Sequence, residues 1–110
     1  MNKRLQALGR LKTGRMNNTE FAYSKNLELE KIAGRVLWYS FEATKFRLAD
    51  ATFYTPDFIV MLANGSLEAH EVKGFWVDDA RVKIKVAAEM FPIKFIGVMN
   101  KKGQWVFEEF

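Results

Sequence analysis

The chain has 110 residues, 49% hydrophobic and 27% charged, enough for one modest core and too apolar for a disordered tail. No cysteine and one histidine exclude a disulfide framework, a thiolate zinc site and a histidine-rich metal centre. The net charge of +4 is lopsided: residues 1–15 carry five basic side chains and no acid, whereas the other 95 carry 12 basic and 13 acidic. No apolar run is long enough to cross a membrane, and the first residues lack the apolar segment of a signal peptide, so a cytoplasmic protein is expected.

Residues 1–16 mix apolar and basic side chains without a period, and Gly9 and Gly14 interrupt any helix. They read as a flexible arm whose Lys3, Arg4, Arg10, Lys12 and Arg15 can meet a phosphate backbone. A solvated terminus without a role is the competing reading. Residues 17–110 form the single domain.

Asn17 or Asn18 caps a helix expected over about Thr19–Ala33, and Gly34 stops it. Glu20, Tyr23 and Leu27 share a stripe, while Phe21, Leu29 and Ile32 lie elsewhere around the helix, so packing on more than one side is expected. Asn17-x-x-Glu20 also has capping-box spacing. Val36–Leu48, rich in aromatic and β-branched residues, reads as a strand kinked near Glu42-Ala43. A second strand, Thr52–Leu62, contains Pro56, and a third runs Leu67–Lys73.

After a link at Gly74–Val77, Asp78 or Asp79 caps a second helix over about Ala80–Phe91, ended by Pro92. In this helix Val82, Ile84, Val86, Ala87, Ala88, Met90 and Phe91 span a broad apolar arc, with Arg81, Lys85 and Glu89 opposite. Lys83 falls inside the arc and either snorkels to its edge or reaches a charged centre. Strands Ile93–Met99 and Gln104–Glu109 close the chain, joined by a turn at Asn100–Gly103. Helix, three-stranded meander, crossover helix and two further strands describe an α/β protein with a mixed sheet.

Asn64-Gly65 between two β-prone runs is a hairpin signal, and folding there brings Asp57 beside Glu71. Strand alternation puts Lys73 on the face of Glu71 and turns Val72 and His70 to the other, where His70 reads as a packed or partly exposed structural residue. Two clustered carboxylates repel unless a cation lies between them, and oxygen ligands suit Mg²⁺ or Mn²⁺. Trp38, Trp76 and Trp105 read as core or interface, with Trp76, just beyond Lys73, the one nearest a base-stacking position.

Pro56-Asp57, thirteen residues, then Glu71-Val72-Lys73 resembles the signature of the PD-(D/E)XK nuclease superfamily. The run HEVKGFWVDDARVKIK is similar to small phage-encoded, Holliday-junction-resolvase-like members, and the resemblance spans roughly residues 19–98. It implies a restriction-endonuclease-like core and a Mg²⁺-dependent DNA endonuclease, with Mn²⁺ able to substitute, leaving 5′-phosphate and 3′-hydroxyl ends. It further implies branched DNA as substrate, a homodimer, and a bacterial cell, phage- or prophage-encoded, as setting. Asp57, Glu71 and the Val72 carbonyl would then hold the metal and Lys73 would assist the water or the phosphoryl group. Glu20 matches the acid that the family takes from its first helix, with Glu28 and Glu30 as further candidates, and Lys83 would face the scissile phosphate. A nicking or restriction-like enzyme is the alternative within the class. A nucleic-acid-binding module without activity is the alternative outside it, against which the intact Asp57, Glu71 and Lys73 argue.

Overall fold

The structure, a computed structural model, describes residues 15–110. Helix α1, Asn18–Ile32, starts at Asn17, whose side chain accepts the Glu20 N–H at 2.8 Å while Glu20 Oε1 accepts the Asn17 N–H at 2.9 Å. That reciprocal pair satisfies donors that the first helical turn leaves without partners. Gly34, at φ +84°, ends the helix in a left-handed conformation that is cheap only without a Cβ.

The single strand expected over Val36–Leu48 is two, β1 at Val36–Phe41 and β2 at Phe46–Ala49. Glu42, at φ +50°, turns the chain out of the main sheet between them. The strand expected over Thr52–Leu62 also divides, into β3 at Thr52–Tyr54 and β4 at Phe58–Leu62. Pro56 lies in the gap, where no ladder requires its missing N–H. β2 and β3 pair with each other as a small separate sheet.

The remaining elements are β5 at Leu67–Lys73, helix α2 at Asp78–Met90, β6 at Lys94–Lys101 and β7 at Gln104–Glu109. The main sheet is mixed and five-stranded, in the order β1-β4-β5-β6-β7, with β5 and β6 parallel and the other pairs antiparallel. The α/β class, the meander of β1, β4 and β5, and the parallel crossover through α2 agree with the sequence reading. The cap of α2 does not. Val77 is the N-cap, without a side-chain bond, and Asp78 and Asp79 sit in the first turn, where their charge complements the helix dipole.

The sheet separates two apolar layers. On one face α1 buries Tyr23 and Leu27 against Phe58, Val60, Val72 and Val98. On the other, α2 and the β2–β3 hairpin bury Ile84, Ala87 and Tyr54 against Ile59, Ala69 and Phe95. Gly97 is needed in this second layer, because a Cβ there would stand 2.7 Å from Trp76 Cζ2 and 3.0 Å from Phe110 Cε2.

Two packing expectations are corrected. Phe21, Leu29 and Ile32 are 55%, 64% and 75% exposed, so among the described residues α1 packs on one side only. Along α2, Val82, Val86 and Met90 are exposed, and the broad arc contracts to Ile84 and Ala87 with Ala88 and Phe91 partly covered. A helix laid on a sheet covers one stripe, and among the described residues neither helix meets a second layer. Among the described residues, no helix is long and apolar enough to cross a membrane.

Candidate metal centre

The register of β4 against β5 sets Phe58 opposite His70, which leaves Asp57 and Glu71 as neighbours at the next rung. Asp57 stands just before β4 begins. Its side chain continues the pairing, Oδ2 accepting the Val72 N–H at 2.8 Å, and its carbonyl accepts the Glu42 N–H at 2.8 Å. Asp57 is thus fixed from β1 and β5 together. Glu71 is buried beside it, with Oε1 accepting from Tyr54 Oη at 2.8 Å and Oε2 lying 3.2 Å from Lys73 Nζ. Lys73 is half-buried on the same face, as alternation along β5 requires.

Burial, and then the charge of Glu71, push the Asp57 carboxyl up to about 8, against the lowering pull of the Val72 N–H. Glu20 adds to that rise. Burial also raises Glu71, although Tyr54 and Lys73 pull the other way. Glu42 is raised by burial and then by Glu20 and Glu71. One lysine therefore faces more buried acid than it can neutralise. The donors are all oxygens, which fits a hard divalent cation. Among the described residues, no three His, Asp or Glu side chains converge in ready-made ligating geometry.

Asp57, Glu71 and Lys73 are brought together. Glu20 closes the capping box with its carboxylate, which also lies near enough to Asp57 to raise it. Val72 enters through its N–H, which Asp57 takes. Lys83 does not join them: its Nζ donates to the Phe53 carbonyl at 3.2 Å. The β2–β3 hairpin lies against α2 and gives this lysine a backbone partner. Glu28 accepts from Tyr39 Oη at 2.7 Å, and Glu30 pairs with Arg35 at 2.7 Å, so both are engaged elsewhere. Lys3, Arg4, Arg10 and Lys12 lie outside the described residues, and Arg15 is exposed.

Two residues escaped the sequence reading. Tyr54 fell within the strand expected over Thr52–Leu62 with no role of its own, and Glu42 read only as a kink. The one signal for Glu42 was an acid interrupting an aromatic strand.

His70 lies on the face opposite Glu71 and Lys73, as expected, and is buried there against α1. Its Nδ1 lies 2.7 Å from Tyr23 Oη and its Nε2 2.9 Å from Glu68 Oε1. With Glu68 ionised, Nε2 carries the proton and Tyr23 donates to Nδ1. A cavity of about 350 Å³, lined partly by Tyr23, His70 and Trp105, lies on this side, across the sheet from Asp57 and Glu71. Trp76 packs edge to face on Phe110 at 5.4 Å between ring centroids, beneath the Arg81 guanidinium, so its ring belongs to the second layer. No family model, no curated protein and no solved structure matches the chain.

Proposed function

We propose that this protein is a metal-dependent DNA endonuclease that hydrolyses phosphodiester bonds in branched DNA as a homodimer. The observation that carries this reading is the buried Asp57–Glu71 pair, with Lys73 at one Glu71 oxygen and the Asp57 carboxyl pushed up to about 8 by burial and then by the charge of Glu71. The resemblance to the PD-(D/E)XK superfamily supports it, as does the order of elements, compatible with a restriction-endonuclease-like core.

Asp57 and Glu71, with the Val72 carbonyl, would hold Mg²⁺, or Mn²⁺ in its place, and Glu20 would add a further acid. Such an ion supplies charge neutralisation and an acidified water. Lys73 has a role of its own: an ammonium beside Glu71 can orient the attacking water or meet the charge that grows on the phosphoryl oxygens. Tyr54 holds Glu71 from the opposite oxygen, and the Val72 N–H holds Asp57. Both carboxylates are therefore oriented before any ligand arrives, and pre-oriented groups do not lose rotamer freedom at the moment of reaction.

The test is a gel shift in EDTA, followed by addition of Mg²⁺, on four-way junction, flap, nicked and linear DNA at one salt concentration. Binding in EDTA, cleavage on adding Mg²⁺ and a faster rate on the junction are expected. Asp57→Asn and Glu71→Gln should each abolish cleavage and leave EDTA-state binding in place. Cleavage retained by either purified variant would falsify the metal centre. Equal rates on all four substrates would move the reading to a nicking or restriction-like enzyme.

A further inference from the structure

The side of α1 turned away from the sheet carries a pattern that the described residues leave unused. At about 100° per residue, Phe21, Lys25, Glu28, Leu29 and Ile32 fall within about 100° of one another, opposite the buried Tyr23 and Leu27. Phe21, Leu29 and Ile32 are more than half exposed. Scattered apolar residues are ordinary on a surface, but an apolar stripe along one helix face with charges set into it marks a contact.

The order of the side chains identifies the partner. About a midpoint between Asn26 and Leu27, Phe21 is the counterpart of Ile32, and Lys25 of Glu28. Rotating a second copy of the helix by 180° about that midpoint sets each phenyl ring against an isoleucine and each ammonium near a carboxylate. Leu29 then falls beside the aliphatic stem of the other copy's Lys25. A parallel arrangement would instead oppose lysine to lysine and glutamate to glutamate, which is unfavourable. Lys25 and Glu28 are both exposed, and the Lys25 ammonium stands 4.9 Å over the Phe21 ring, which places it on this face, while Glu28 also accepts from Tyr39 Oη of β1 at 2.7 Å. A partner of another sequence would not require the face to complement itself; a two-fold contact does.

We infer that α1 is the surface on which two copies of this chain pair, helix antiparallel to helix, around a two-fold axis passing between Asn26 and Leu27. The inference rests on the homodimer of the proposed function for its purpose, and it is tested without DNA or metal. One pair of helices is a small interface, so a dissociation constant of roughly 1–10 µM is expected.

The chain has no cysteine, which permits a register test. Where helix axes lie 8–10 Å apart, facing Cα atoms approach to about 4–6 Å, within disulfide range. Phe21→Cys/Ile32→Cys should give a covalent, reductant-sensitive dimer on mild oxidation. Each single variant should cross-link poorly alone, and a mixture of the two singles should cross-link well. In the second arm, Phe21→Glu should turn the wild-type dimer into a monomer in solution, with the melting temperature of the fold retained. Single variants that cross-link as well as the double variant would overturn the antiparallel register. A wild-type chain still monomeric at about 100 µM would overturn the interface altogether, whether or not the protein cuts DNA.

Discussion

Tyr54 Oη donates to Glu71 Oε1 at 2.8 Å across 17 residues of sequence, joining the small β2–β3 sheet to the central strand β5. Burial, and then the charge of Glu71, push the Tyr54 phenol far above its ordinary value, so the group remains a donor. The bond leaves Glu71 Oε2 to Lys73.

Tyr54→Phe keeps the aromatic packing against Phe95, at 6.3 Å between centroids, and removes only the hydroxyl. Loss of a partner that orients a metal ligand commonly costs about 10–100-fold in metal affinity. That loss is expected here, with a near-native circular dichroism spectrum. Mg²⁺ titration by calorimetry reads it directly, and an unchanged affinity would remove Tyr54 from the site.

The raised carboxyls carry a prediction about pH. Asp57 sits at about 8 in the folded chain against an ordinary 3.8, so between those values the folded state binds more protons than the unfolded one. Its contribution to stability is complete below the ordinary value and is lost as pH rises through about 8. Glu71 is raised and acts in the same direction. Glu30 and Glu68 are lowered and act the opposite way, but only at and below the usual carboxylate range. In EDTA the melting temperature should therefore fall from about pH 5 to about pH 8, and Mg²⁺ should stabilise most at the upper end. Asp57→Asn should flatten the profile. A melting temperature that climbs across this interval would contradict the assignment.

Gly97 faces Glu71 across the parallel β5–β6 pair, and Trp76 fills the space that a side chain would occupy. Gly97→Ala is expected to cost about 1–3 kcal/mol by overpacking, since a ring in a close-packed layer has little room to retreat. Urea unfolding gives the energy and tryptophan emission reports the displacement. Wild-type values for both would show the layer to be looser than its geometry indicates.

The arm can be tested from its charge. Deleting residues 1–15 removes five basic side chains. If each meets one phosphate, the log–log salt slope of DNA binding should fall by up to about 4.5, at roughly 0.9 per contact. An unchanged slope would make the arm a spectator.

Much of this centre is local and so was legible in the sequence. Asn64-Gly65 announces its hairpin, alternation assigns Glu71, Lys73 and His70 to their faces, and Asn17-x-x-Glu20 announces its cap. The division of the long aromatic runs was not legible. Side chains with high β propensity look alike whether a strand continues or crosses to another sheet, and only the left-handed Glu42 marks the exit. Tyr54 was missed for that reason, because its meeting with Glu71 exists only once the hairpin has left the main sheet. Phe21, Leu29 and Ile32 illustrate the other limit. Periodicity tells which residues share a helix face, but not whether the chain covers that face.

β5 places opposed chemistry on consecutive residues, His70 beneath Tyr23 on one face and Glu71 beside Tyr54 on the other. A slip of one residue during folding would exchange the faces of the whole strand. The imidazole would arrive among carboxylates, and a carboxylate would be driven into the aromatic layer with its hydrogen bonds broken. Each stranded group would carry the desolvation cost of an unpartnered polar atom, about 1–3 kcal/mol and more for the ion. Misregister of this strand is therefore penalised on both sides at once, so the segment carrying the candidate centre also proofreads the alignment of the sheet.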